Sequence, residues 1–381
     1  MGYVAVKGGD EAIENATQLT EFYRLKDNTS PITIKQLMAQ FKRAIDKVMG
    51  EGSLYAPEYA AIALKQAEGD VLEAAFILRA FRATLSRNYY SEILNTRDMF
   101  VERRISSSFR EIPGGQVLGP TVDYSQKLLN TKLANESEAD IKKFVEAFKH
   151  EFKTEQLEKI TTYGKVIDLL KSQGLLKVEK DKNSIVKDIT REAIKFPAPR
   201  SARLQMLARA ETGGLMALGY ASMRGHGSVH PTIGELRVGK VNVHIKDYKD
   251  RKRYIGQIRV MEAEMISKAS LKKKKGVPYF SLGYGLCFGQ NETKAICMGI
   301  LDKSMRDNGN SPTNDQEFVL YHTEGIEALG FTNHLKLPHY VTFQAGLSNL
   351  RQAIKRSEKN PPSTNNSNTR SQNNETSDEI Y

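Results

Sequence analysis

A chain of 381 residues, 40% of them hydrophobic, is long enough for two domains or for one large domain with insertions. No apolar run approaches the length of a membrane-spanning helix, and two cysteines, Cys287 and Cys297, exclude a disulfide scaffold and every C-x2-C zinc module. A net charge of +11 favours a polyanionic partner, with nucleoside phosphates, nucleic acid and membrane surfaces all in the class. The N-terminal MGYVAVKGGDEAIENA has no signal-peptide apolar region, so a reducing cytoplasm is the expected setting.

In chain order, YVAV followed by KGGDEAIENA predicts a short strand, a glycine turn and a helix. Residues 33–50 carry a second helical pattern. Residues 57–85 predict a helix hairpin broken at EGD (68–70), with Asp70 as N-cap and Glu73 completing a capping box. RDMFVERRISSSFREIPGGQVLGPTVDY (97–124) mixes arginines with a Gly/Pro-rich stretch, which suits an ordered binding loop. From 137 to 152 a helix capped by Ser137 places Ile141, Phe144, Val145, Phe148 and Phe152 on one stripe, expected to face other helices. KVIDLLKSQGLL continues the helical middle.

After Phe196 the strand candidates are LRVGKVNVHI, YIGQIRVMEAEMI, YFSLGYGLCFG and AICMGIL. The fold class is α+β: a mainly helical N-terminal region (1–195), a strand-rich α+β region (196–359) and a disordered tail (360–381). That tail, NPPSTNNSNTRSQNNETSDEIY, has almost nothing to bury against its ordering entropy.

Polar groups beside small residues concentrate in FPAPRSARLQMLARAETGG (196–214), with Arg200, Arg203 and Arg209, and in RGHGSVHPTIGELRVG (224–239), with Arg224, His226, His230, Glu235 and Arg237. The guanidinium fork offers phosphate two parallel hydrogen bonds and keeps its charge. Together with Arg103 and Arg104, these arginines point to a triphosphate site; solubilising helix faces are the bland alternative. His226 and His230 have i, i+4 spacing, but Gly225, Gly227 and Pro231 argue against a metal-binding helix. LKKKKG (271–276) lacks interleaved aromatic residues, so it reads as a solvated loop and not as a nucleic-acid platform. In NHLKLPHY (333–340), His334 and His339 converge only if the chain turns near Pro338; their spacing is one seen at zinc sites, and two ligands would still be wanting.

These segments resemble the I subunit family of the bacterial carbon–phosphorus lyase system. YVAVKGG, EGSLYAPEYAAIALKQAEGD, PGGQVLGPT, FPAPRSARLQ, HPTIGELRVG, LGYGLCFGQNE and HLKLPHYVTFQ carry the resemblance, in one order, over nearly the whole chain. Ala210 departs from the glycine of the family's ARGETG, and Ala263 falls where TECEMI is common. The resemblance implies a subunit that works with G and H partners and the ATP-binding K and L subunits. It would replace the adenine of MgATP with an alkylphosphonate, giving ribose 1-alkylphosphonate 5-triphosphate, and would act alone as a purine nucleosidase.

Positive charge builds at C1′ of ribose in such a reaction, and Glu235, Glu262 and Glu264 are the candidate carboxylates. Arg103, Arg104, Arg200, Arg203 and Arg224 are the candidate substrate-binding residues. The resemblance further implies that His334 and His339 contribute to a Zn2+ site shared with the radical J subunit, whose cysteines supply further ligands. The alternative is a non-catalytic scaffold that binds that lyase subunit and completes its zinc site. Neither nucleic acid nor a membrane is an expected partner.

Overall fold

The structure is a computed structural model that describes residues 9–152, 163–176, 186–224, 231–268, 279–307 and 309–359. The strand expected at YVAV, the histidines His226 and His230, the lysine run at 272–275 and the tail from 360 lie outside the described residues. The chain divides into two units, residues 1–28 with 330–381 and residues 29–329. The first unit begins with α1 (Gly9–Leu25), which carries Asp10 and Glu11 in its first turn and Arg24 in its last, the polarity that complements a helix dipole.

The large unit opens with a helical cluster. The pattern at 33–50 is two helices, α2 (Ile34–Gln40) and α3 (Lys42–Gly52), separated by a break at Phe41. The hairpin is α4 (Pro57–Gln66) and α5 (Val71–Thr84). Asp70 caps α5 by accepting from the N–H groups of Leu72 and Glu73. The reciprocal half of the expected capping box is missing because the Asp70 N–H donates to the Ala67 carbonyl instead, at 2.9 Å. Val48, Met49, Ala61, Leu64, Ala74 and Leu78 form the core of this cluster.

Next come β1 (Phe100–Ile105), α6 (Glu138–Phe152), α7 (Ile167–Ser172), α8 (Arg200–Arg209) and α9 (Thr212–Met223). Ser137 caps α6 through the Asp140 N–H at 3.2 Å, as expected. Among the described residues its apolar stripe is not covered by other helices: Phe144 is 68% exposed, and the ring contacts of the stripe are a ladder of Phe144, Phe148 and Phe152.

Strands β2 (Thr232–Lys246), β3 (Lys252–Lys268) and β4 (Phe280–Phe288) follow. The sheet is antiparallel in the order β1-β2-β3-β4, which leaves β4 on an edge. AICMGIL, expected as a strand, lies in α10 (Glu292–Ser304), where Asn291 caps by accepting from the Lys294 N–H. An apolar run buried on all sides has no polar alternation to tell a strand from a helix. Helices α11 (Gln316–His322), α12 (Gly325–His334) and α13 (Tyr340–Lys359) complete the order. The fold is α+β.

One sheet face is apolar: Leu236, Val238, Met261, Ala263 and Cys287 pack with Leu207 of α8, Leu215 of α9, Met298 and Leu301 of α10 and Leu320 of α11. Gly283 and Gly285 of LGYGLCFG make this packing possible. A Cβ on Gly283 or Gly285 would lie 2.0 Å from the carbonyl oxygen of Gly299 or Ala295, so only glycine lets α10 approach β4 this closely. Among the described residues, no helix is long and apolar enough to cross a membrane.

Candidate active site

The second face of the sheet is polar at its centre. Alternation along β2 and β3 puts Glu235, Arg237, Glu262 and Glu264 on the same side, with Arg237 opposite Glu262 and Glu235 opposite Glu264. All four are at most 2% exposed. Glu262 Oε1 accepts from Thr96 Oγ1 (2.8 Å), Lys165 Nζ (2.7 Å) and the Tyr284 hydroxyl (2.8 Å), and Oε2 accepts from Arg237 Nη2 (2.7 Å). Burial alone would raise this carboxyl, but Lys165 and Arg237 hold it at about 2. Glu264 shares Lys165 Nζ at 2.9 Å, and its buried Oε2 has no partner among the described residues. Burial and the charge on Glu262 push Glu264 up to about 7. Glu235 takes the Arg104 guanidinium on Oε1 and the Val166 N–H on Oε2.

A cavity of about 1080 Å³ lies beside the edge strand β4. Val241, Ile258, Val260, Leu286 and Phe288 give it a continuous apolar wall, and Arg82, Arg87, Arg191 and Arg209 bring guanidinium groups to its lining. Thr96 and Tyr284 also line it, so two residues that donate to Glu262 join the polar layer to the cavity. Cys287 reaches the lining as well, but burial pushes its thiol up to about 12, which leaves it a poor nucleophile.

The guanidinium groups differ in how they are satisfied. Arg79 and Arg209 both pair with Glu324, which is 1% exposed. Arg87 pairs with Asp188 and donates to Thr190 Oγ1. Arg191 stacks over the Tyr90 ring. Arg82 donates to the Ser53 carbonyl at a long 3.4 Å, and no carboxylate among the described residues pairs with it. Burial and the neighbouring guanidiniums of Arg79, Arg209 and Arg87 push Arg82 below the ordinary arginine range.

The structure brings the three candidate glutamates into one layer, whereas the five candidate arginines are dispersed. Arg103 is fully buried and binds Glu292, Asp123 and the Leu118 carbonyl. Arg104, equally buried, binds Glu235 and the carbonyls of Pro113 and Gly164. Arg200 is held bidentately by Asp302 at 3.1 and 2.7 Å, and Arg203 donates to the Ala198 carbonyl. Arg224 is exposed at the end of α9. Among the described residues of the cavity lining, the arginines are instead 82, 87, 191 and 209. Arg82 lies on a helix whose sequence reads as core packing, and Arg87 and Arg191 sit in irregular chain without a motif. Lys165 and Tyr284 likewise carry no local sequence signal. They reach the glutamates across 97 and 22 residues of sequence.

In the smaller unit, α12 ends at His334, and the turn is closed by the Leu337 N–H on the His334 carbonyl at 2.9 Å. The two imidazoles face each other with centroids 5.3 Å apart. His339 Nδ1 donates to the Leu337 carbonyl at 2.6 Å and His334 Nδ1 to the Phe331 carbonyl. A carbonyl can only accept, so each Nδ1 carries its proton and, in the neutral ring, each Nε2 keeps a lone pair; metal-binding histidines donate their other ring N–H to a backbone carbonyl in the same way. Among the described residues no group of three or more His, Cys, Asp or Glu side chains could hold a metal. The pair presents two imidazoles, and a tetrahedral zinc takes four ligands.

A family model described as "Bacterial phosphonate metabolism protein (PhnI)" matches residues 2–357. The chain is 44% identical over 358 residues to a putative C-P lyase subunit protein, HtxH, of Stutzerimonas stutzeri, covering 92% of this chain and 95% of that protein. It is 42% identical over 357 residues to the alpha-D-ribose 1-methylphosphonate 5-triphosphate synthase subunit PhnI of Escherichia coli (strain K12), covering 92% and 98%. The identity is also 42%, over 359 residues, to the protein of the same name from Rhizobium meliloti (strain 1021), covering 92% and 94%. Matches of this extent place the polar layer and the cavity in a chain that belongs to the bacterial phosphonate metabolism protein (PhnI) family.

Proposed function

We propose that this chain is the ribosyl-transferring subunit of a cytoplasmic carbon–phosphorus lyase system. It takes MgATP, releases adenine and joins C1′ of the ribose to an alkylphosphonate oxygen. The observation that carries the reading is the cavity beside β4, which pairs a continuous apolar wall with guanidinium groups. A nucleoside triphosphate has that same division, with an apolar base at one end and an anionic chain at the other. The Rhizobium meliloti and Escherichia coli relatives, both alpha-D-ribose 1-methylphosphonate 5-triphosphate synthase subunits, support ribose 1-alkylphosphonate 5-triphosphate as the product.

In this reading Arg87, Arg191 and Arg209 receive the triphosphate, and Mg2+ enters with the nucleotide as part of the substrate. Arg103, Arg104, Arg200 and Arg203 support the site indirectly by holding loops and α8 to their carboxylate and carbonyl partners. Glu262 is a positioning residue: it fixes the Tyr284 hydroxyl and Thr96, which form part of the cavity lining. The ionised Glu262 also places negative charge near developing positive charge at C1′. With water as acceptor the same bond cleavage makes the chain a purine nucleosidase.

A second role rests on the histidine pair. His334 and His339 would hold a zinc ion completed by cysteines of the J subunit, with the G, H, K and L subunits as the other partners. Zinc there orders the contact between the chains.

The test is incubation of the assembled complex with MgATP and methylphosphonate, followed by separation of nucleobase and phosphorus-31 spectroscopy. Free adenine and ribose 1-methylphosphonate 5-triphosphate should appear together. Release of inorganic phosphate with the adenosine left intact would overturn the reading.

A further inference from the structure

We infer that Arg82 is the acceptor-binding residue of the cavity: it takes the phosphonate dianion, while Leu54 and Leu85 receive the alkyl group. The inference rests on the ribosyl-exchange reading and adds to it the residue that selects phosphonate over water.

The argument begins with charge that is not balanced. Arg82 is half-buried on α5 and lines the cavity. Its neighbours Arg79 and Arg209 share the single carboxylate of Glu324, and Arg87 has Asp188. Among the described residues Arg82 has a weak 3.4 Å hydrogen bond to the Ser53 carbonyl and the more distant charge of Asp188, which Arg87 already engages. A partly desolvated cation among like charges is unfavourable until an anion joins it.

Shape decides which anion. Arg87 and Arg191 are exposed, so they can follow an extended triphosphate whose magnesium keeps its waters. Arg82 is the more enclosed group and offers one planar fork, which matches two oxygens of a single tetrahedral dianion. Ser53, which touches Arg82, is followed by Leu54, and Leu85 lies three residues beyond Arg82; both leucines line the same cavity. An anion seated on Arg82 therefore has apolar surface beside it, which suits an alkylphosphonate better than inorganic phosphate.

The bond changes balance without a further reagent. A phosphonate oxygen forms a bond to C1′ as the C1′–N9 bond breaks. The electron pair leaves on the purine, which takes a proton from solvent. If water occupies the acceptor position, its oxygen forms the bond and its proton is lost, giving ribose 5-triphosphate. Occupancy of Arg82 thus sets the partition between exchange and hydrolysis.

The experiment has a binding arm and a product arm. Methylphosphonate, inorganic phosphate and MgATP are titrated calorimetrically into the full chain and into Arg82→Gln and Arg82→Lys, with melting curves to confirm folding. Arg82→Gln should weaken methylphosphonate by at least about tenfold more than it weakens MgATP, and Arg82→Lys should restore part of the loss. In the assembled complex, the ratio of exchange product to ribose 5-triphosphate should fall by about tenfold or more in Arg82→Gln. The proposal is overturned if the unmodified chain does not bind methylphosphonate, or if MgATP and methylphosphonate weaken equally. Equal binding of methylphosphonate and phosphate would overturn the part assigned to Leu54 and Leu85. A complex that releases no purine at all defeats the exchange reading, while the binding arm still decides Arg82.

Discussion

Glu262 and Glu264 sit two residues apart on β3 and accept from the same ammonium group, Lys165 Nζ, at 2.7 and 2.9 Å. Their environments separate them: Glu262 is also held by Arg237, Thr96 and Tyr284, whereas one oxygen of Glu264 has no donor among the described residues. One carboxyl is ionised throughout the useful pH range and its neighbour titrates near neutrality.

That difference has a pH signature. Glu264 is raised from 4.5 to about 7, so the stability it contributes is fully present below 4.5 and is lost as pH rises through about 7. Glu262 is lowered from 4.5 to about 2, so its contribution is present above 4.5 and is lost as pH falls toward 2. Replacing Glu264 with Gln removes the first loss. The melting temperature of Glu264→Gln relative to the unmodified chain should therefore climb between about pH 5 and about pH 8. A difference that stays constant over that window would show that Glu264 does not titrate there.

Arg104 and Glu235 join β1 to β2 with side chains 0% and 1% exposed. Glu235→Ala should destabilise by roughly 3–5 kcal/mol, because it strands a buried guanidinium. The double replacement Arg104→Met with Glu235→Leu should recover part of that loss, since neither charge is then left unpaired while the Pro113 and Gly164 carbonyls and the Val166 N–H still lose their partners. Denaturant unfolding of the three variants measures both effects. A double variant no more stable than Glu235→Ala would mean that the pair does more than neutralise itself.

The histidine pair makes a prediction about stoichiometry. Two imidazoles leave a tetrahedral ion two ligands short, so the isolated chain should hold zinc weakly and the assembled complex tightly. His334→Ala and His339→Ala should each remove that zinc from the complex. Metal analysis of the free chain, the complex and both variants is the check. Stoichiometric zinc on the free chain would rule out a site shared between subunits.

Much of the fold was readable because its signals are local. Asp70 and Ser137 announce helix starts through their own side chains, and the strand candidates LRVGKVNVHI and YIGQIRVMEAEMI fall within β2 and β3. The convergence of His334 and His339 was legible from the turn that Pro338 permits. AICMGIL was misread because full burial erases periodicity. Three of the cavity arginines escaped notice for another reason. Arg209 stands out with its neighbours, but Arg82, Arg87 and Arg191 carry no motif, and only tertiary packing brings these residues to one cavity lining. Arg103 and Arg104, candidates for phosphate from the sequence, are fully buried and held by Glu292 and Glu235.

The central claim is that the nucleotide occupies the cavity beside β4, and photolabelling with 8-azido-ATP followed by peptide mapping tests it most directly. We expect label in peptides spanning 85–96 or 284–288, and we expect excess MgATP to suppress it. Label that MgATP suppresses but that is confined elsewhere, for example to residues 330–359, would contradict the assignment.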